Sequence, residues 1–172
     1  SGCSLKRSQA HSARSPLKTF DGQKLASTLQ SNSPPMPGLP ADHAEFSALS
    51  KQELHALADQ LLTHEPNVVD YCIEFVIAET KGHWHGRARA MMCRRLKHCE
   101  LGRTNRTKLV ACILHRLRSG DFSEQFKDQL RLALHCDNEK TMSACETAKS
   151  SDRPHVRRYA EWALALHSAH SV

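Results

Sequence analysis

Along the last two-thirds of the chain, apolar residues recur three or four positions apart and polar residues fill the intervals, which is the spacing of helices that bury one face. Over 50–64 the apolar set is Leu54, Leu57, Ala58, Leu61 and Leu62. The segment opens on Ser50-Lys51-Gln52-Glu53, a capping box in which hydroxyl and carboxylate satisfy each other's free backbone donors. Pro66 at a first-turn position and Gly82 as a stop predict a helix over 66–81. The pattern predicts further helices over 84–98, 105–119, 122–135, 138–149 and 153–169. Gly102 and Gly120 punctuate them, and Asp121-Phe122-Ser123-Glu124 forms a second candidate capping box. No segment alternates with period two between turn signals, so strands are not expected. The predicted fold class is all-α, with about seven helices.

The first 47 residues break this pattern. They are rich in Ser, Pro and Gln and poor in periodic apolar positions, a composition that cannot bury enough surface to offset the entropy of ordering. They are expected to form a mobile arm, with one short helix around 23–30 and a proline-rich linker over 32–40, where proline removes donors and disfavours helix in the residue before it. The folded domain is expected over 48–172. Ser1-Gly2-Cys3 reads as a tag remnant in preference to a lipoprotein-type processing site, in which Cys3 would carry a lipid anchor.

Two of the helical segments align with each other. Pro66, Val68, Tyr71, Cys72, Phe75 and Val76 fall at the same offsets as Pro154, Val156, Tyr159, Ala160, Ala163 and Leu164, and a weaker copy lies between them at Leu109, Val110, Ile113 and Leu117. The copies are about 41 and 47 residues apart, within the period of two-helix solenoid repeats. In the last copy Asp152, Pro154, Val156, Arg157, Ala160, Ala163 and Leu164 resemble the second helix of a HEAT repeat. At Pro66 to Val76 the arginine of that pattern is replaced by Val69. The resemblance implies a right-handed superhelix of antiparallel helix pairs that works as a binding scaffold, and it brings no catalytic residue with it.

Charge sharpens the functional reading. The net charge of +6 conceals a segregation: six carboxylates face one lysine between 49 and 79, whereas eleven basic residues face Glu100 alone between 81 and 120. Such asymmetry attracts a polyanion or an acidic protein surface. At about 100° per residue, Trp84, Ala88, Met91, Met92, Leu96 and Cys99 fall on one side of the 84–98 helix, with Arg87, Arg94, Lys97 and His98 on the opposite flank. In the 105–119 helix, Lys108, His115 and Arg118 group away from Leu109, Val110, Ile113 and Leu117. If the two helices are neighbours, their basic flanks merge. Arg95 lies among the apolar positions, where it must snorkel, pair with a carboxylate from 49–79 or serve a ligand.

The candidate binding face is therefore Arg87, Arg94, Arg95, Lys97, His98, Lys108, His115 and Arg118. It is expected to dock an acidic protein partner, as an adaptor or regulator would. DNA or RNA binding through the same side chains is the alternative, with each phosphate contact weakening as salt rises. Against it, Phe, Tyr and Trp number only nine, and no aromatic platform for single-stranded bases can be placed.

Catalytic and metal chemistry find less support. Lys81 to Cys99 gathers His83, His85, Cys93, His98 and Cys99, but cysteines six apart on a helix diverge, and only His83 and His85 could share an ion. No P-loop, GxGxxG, GxSxG or HExxH occurs, and Asp70 with Trp84 is the one pair an enzyme of glycosylase type could use. Neither a metal nor a cofactor is expected, and an enzyme is the distant alternative. Trp84 and Trp162 read first as packing residues. The seven cysteines are odd in number and scattered among apolar positions, as reduced core-filling thiols are, which points to the cytoplasm or another reducing compartment. No run of eighteen apolar residues exists, so a soluble chain without a membrane span is expected.

Overall fold

Among the residues described by the computed structural model, 44–122 and 125–170, the local sequence signals produce eight α-helices and no strand. They are α1 (Ala44–Ser47), α2 (Lys51–Gln60, continued by a 3-10 turn at Leu61–Thr63), α3 (Pro66–Ile77), α4 (His85–Leu96), α5 (Arg103–Ser119), α6 (Phe126–Cys136), α7 (Asn138–Ala148) and α8 (Pro154–His170). The capping box at the start of α2 is formed: the Glu53 N–H donates to the Ser50 hydroxyl at 3.3 Å and the Ser50 N–H to the Glu53 carboxylate at 2.8 Å. Pro66 and Pro154 occupy first-turn positions, where the missing N–H costs no hydrogen bond. Asp137 caps α7 by accepting from the Lys140 N–H at 3.0 Å. Gly120 ends α5 in the left-handed region at φ 67°, a conformation that glycine adopts without strain.

The helices arrange in two rows. Helices α2, α4, α6 and α8 pack side by side in the first row, and α3, α5 and α7 in the second, while α2–α3, α3–α4, α5–α6, α6–α7 and α7–α8 pack across the gap. The core is the layer between the rows, where Leu54, Ile73, Met92, Leu96, Ile113, Leu117 and Leu130 are buried. Of the aligned segments, those in α3 and α5 share the second row, whereas the one in α8 lies in the first. No helix of the described residues is long and apolar enough to cross a membrane.

Beyond shifts of one or two residues at helix ends and the 3-10 turn that closes α2, three boundaries differ from the pattern-based expectation. Helix α3 stops at Ile77 instead of running to Lys81, because side chains of other helices take its last carbonyls, as detailed below. Helix α6 starts at Phe126, four residues after the expected start at Phe122, and the second capping box falls partly on Ser123 and Glu124, outside the described residues. Phe46, in the stretch read as arm, is a core residue: it is 1% exposed, edge-on to Tyr71 at 5.1 Å and to Phe75 at 5.5 Å. The rest of that stretch before residue 44, with its short helix, proline-rich linker and Cys3, lies outside the described residues.

Replacing Phe46 by Ala removes a fully buried ring and two aromatic contacts. Chemical denaturation of Phe46→Ala is expected to show a loss of about 3–5 kcal/mol; a loss below about 1 kcal/mol would place Phe46 outside the cooperative fold.

Candidate functional site

The last carbonyls of an α-helix lack intrahelical partners and carry its negative partial charge. After Ile77 the backbone of α3 turns away at Ala78 (φ −59°, ψ 138°), and two arginines collect the exposed oxygens. Arg116 of α5, 7% exposed, donates through Nη1 to the Val76 carbonyl at 2.8 Å and to Gln129 Oε1 of α6 at 2.9 Å. Its Nη2 donates to the carbonyls of Ile77 at 2.8 Å and Ala78 at 3.2 Å. Arg89 of α4 donates through Nη2 to the carbonyls of Ala78 and Thr80, both at 2.8 Å, and to the Thr80 hydroxyl at 2.6 Å. Neither guanidinium forms an ion pair with a carboxylate among the described residues. Burial, and secondarily the charge of Arg116, pushes Arg89 down to about 10. Together they form a collar of two cations joining α3, α4, α5 and α6.

The loop leaving the collar is packed by a histidine. The His85 ring is buried, with Nδ1 2.7 Å from the Thr80 hydroxyl and its plane edge-on to Phe75 at 5.6 Å. A Cβ at residue 82 would stand 2.5 Å from this ring, so the close approach requires Gly82. Burial first, and then the neighbouring Arg89 charge, lowers the His85 pKa below its ordinary value. Beside the collar a cleft of about 360 Å³ opens, with Arg89, Arg116 and Gln129 in its wall alongside Lys81, His115, Phe122, Glu79 and Asp121.

The expected face is divided between the rows. Arg87 and Arg94 lie exposed on α4, whereas Lys108, His115 and Arg118 lie exposed on α5. Helix α4 packs on α2, α3 and α6, and α5 on α3, α6 and α7, so the two basic flanks are not carried by packed neighbours. Arg95 pairs with Asp59 of α2 at 2.7 Å, the carboxylate option among its three. Lys108 pairs with Glu74 at 3.5 Å, and Arg118 donates to its own helix at Leu114. Lys97 and exposed His98 sit past the end of α4.

Arg87 and Arg94 belong to a different surface, on the exposed side of the first row. The Lys51 ammonium of α2 lies 4.0 Å from the Trp84 ring centroid and the Arg87 guanidinium 4.9 Å, so Arg87 shares the Trp84 face and does not oppose it. Arg94, farther along the same α4 stripe, is 3.5 Å from Asp128 of α6, which also accepts from Arg131 at 3.1 Å. Arg131 and Lys127 each lie 5.1 Å from the ring of Trp162 on α8. Lys127, Arg158, Tyr159 and Trp162 line a surface pocket of about 480 Å³. These contacts carry a basic strip across α2, α4, α6 and α8, and both tryptophans, half-buried against the core, act as its struts.

Other candidate chemistry disperses. His83 is exposed beside Trp84 while His85 faces inward, and among the described residues no three His, Cys, Asp or Glu side chains gather as a metal would require. Asp70 accepts from Asn105 of α5, away from the Lys51 and Arg87 partners of Trp84. Burial raises the pKa of all six described thiols, Cys145 to about 11, so each is held as a thiol. Comparison with protein-family models, curated proteins and solved structures found no match for the chain.

Arg89 and Arg116 were legible by the same sign that singled out Arg95. Arg89 continues the buried stripe of His85, Met92 and Leu96, and Arg116 that of Leu109 and Ile113. A cation on an apolar stripe must find buried acceptors.

Two outcomes are expected. Arg116→Met orphans buried carbonyls and costs about 3 kcal/mol or more by urea denaturation, and Arg116→Lys recovers only part because an ammonium lacks the planar fork. For His85 the unfolded chain binds its proton at higher pH than the folded one, so stability falls as pH drops below about 6.5. This acid-side slope should be shallower in His85→Asn than in the parent chain; an unchanged slope would show that His85 does not contribute.

Proposed function

We propose that this chain is a non-catalytic binding scaffold, an adaptor or regulator built as a HEAT-like right-handed stack of helix pairs, that docks an acidic protein surface on its first row. The side-by-side packing of every second helix supports the stack, since each pair in such a fold buries its apolar face against the next. The observation that carries the docking surface is the strip of contacts from Lys51 and Trp84 through Arg94, Asp128 and Arg131 to Trp162. A multi-helix array of guanidinium and ammonium groups suits carboxylates distributed over a protein surface, and Arg forks pair with them bidentately.

Nucleic acid is the second reading, through the same cations. The tryptophans weigh against single strands, because the chain's own Lys51 and Arg87, and Lys127 and Arg131, already sit by the ring faces that bases would stack on. The six cysteines among the described residues, free and buried or half-buried, suit a reducing compartment.

The test is the variant Arg87→Glu/Lys127→Glu/Arg158→Glu, whose side chains are exposed and make no ion pair among the described residues. Its stability should stay within about 1 kcal/mol of the parent. Binding to poly-glutamate, measured by anisotropy at physiological salt, should weaken at least about tenfold. Retained binding would remove the strip as the docking surface. Tighter binding of random duplex or single-stranded oligonucleotides than of poly-glutamate would favour the second reading.

A further inference from the structure

The cleft beside the arginine collar is separate from the first-row strip and has the composition of a ligand site. Its volume of about 360 Å³ lies within the range of small-molecule pockets. Arg116, buried, and Arg89, half-buried, contribute to its wall, and their hydrogen bonds go to helix-end and loop carbonyls, a threonine hydroxyl and a glutamine amide, whose partial charges offset only part of two full positive charges. The enclosed Arg89 Nε meets no acceptor among the described residues. Lys81 and His115 add exposed donors, and Phe122 supplies an apolar wall. Glu79 and Asp121 also line the cleft; Glu79 acts on Arg89 and offsets part of its charge, but both carboxylates are exposed, where water screens them more than it screens buried Arg116.

We propose that this cleft binds a small phosphorylated molecule, with the phosphate against Lys81 and His115 in the field of Arg89 and Arg116 and the organic body against Phe122. The cavity is larger than a phosphate alone requires, which leaves room for such a body. A bound dianion offsets the mutual repulsion of the two guanidiniums, the same repulsion that helps to depress Arg89. Ligand binding thereby tightens the collar itself.

The probe is inorganic phosphate on the full chain, replacing chloride at constant ionic strength, read by thermal melting and by isothermal titration. A saturable rise in melting temperature with phosphate is expected, because a ligand of the folded state alone stabilises it by mass action. Lys81→Ala/His115→Ala alters only exposed side chains outside the collar, so it should melt as the parent does in chloride and bind phosphate at least about tenfold more weakly, having lost the Lys81 charge-assisted contact and the His115 donor. Arg87→Glu on the first-row strip should bind phosphate as the parent does. Equal melting in phosphate and chloride would overturn the proposal, as would an undiminished response in Lys81→Ala/His115→Ala or its loss in Arg87→Glu. Equal saturation by acetate would overturn the assignment of phosphate over carboxylate.

Discussion

The constraint on which this fold turns is the exposed end of one helix. Three carbonyls at the end of α3, those of Val76, Ile77 and Ala78, lack intrahelical partners, and Arg116 and Arg89 supply donors to them from α5 and α4. Burying a guanidinium is costly, and the usual compensation is a carboxylate. Here the compensation is the negative end of a helix, shared between two cations, with Gln129 of α6 as a further acceptor. The arrangement spans both rows, so the residues that finish α3 also fasten α4, α5 and α6 together. It also shapes the loop from Ala78 to Trp84, which Thr80, Gly82 and His85 pack against the collar, and so creates the adjoining cleft.

The exposed side of the first row follows from packing in a different way. Neighbouring helices in that row meet at their exposed edges through aromatic rings flanked by cations and through one shared carboxylate, Asp128. Interactions of this kind are weak one at a time, about 0.5–1 kcal/mol at exposed sites. Their effect is to hold long basic side chains at defined positions, which would lower the ordering cost of the docking proposed above. The collar and the strip are thus separate features, one joining helix ends across the rows and one lying on the exposed side of the first row, with α4 common to both.

Much of this was legible in the chain. The 3.6-residue period identified every helix from α2 onward, the Ser50 capping box and Pro66 marked the starts of α2 and α3, and Gly120 marked the end of α5. The early end of α3 was not legible, because Ala78-Glu79-Thr80-Lys81 has no local signal against helix and the donors that stop it lie 9 to 40 residues away in sequence. The positions of the basic side chains were legible only locally: periodicity put Arg87 and Arg94 on one flank of α4 but set Arg87 opposite Trp84, whose ring it lies beside, and only the order of helices in the rows puts α6 and α8, with Lys127, Arg131 and Arg158, on that side instead of α5 with Lys108, His115 and Arg118. Phe46 escaped because a single apolar residue in a proline- and serine-rich stretch has no period to reveal it.

Native-state hydrogen exchange of Arg116→Met against the parent chain tests the collar most directly. If the collar fastens both rows, amides in α3, α4 and α6 should lose protection together with those of α5, by a common factor, since they belong to one cooperative unit. A loss confined to the last turns of α3 and α5, with α4 and α6 unchanged, would contradict it.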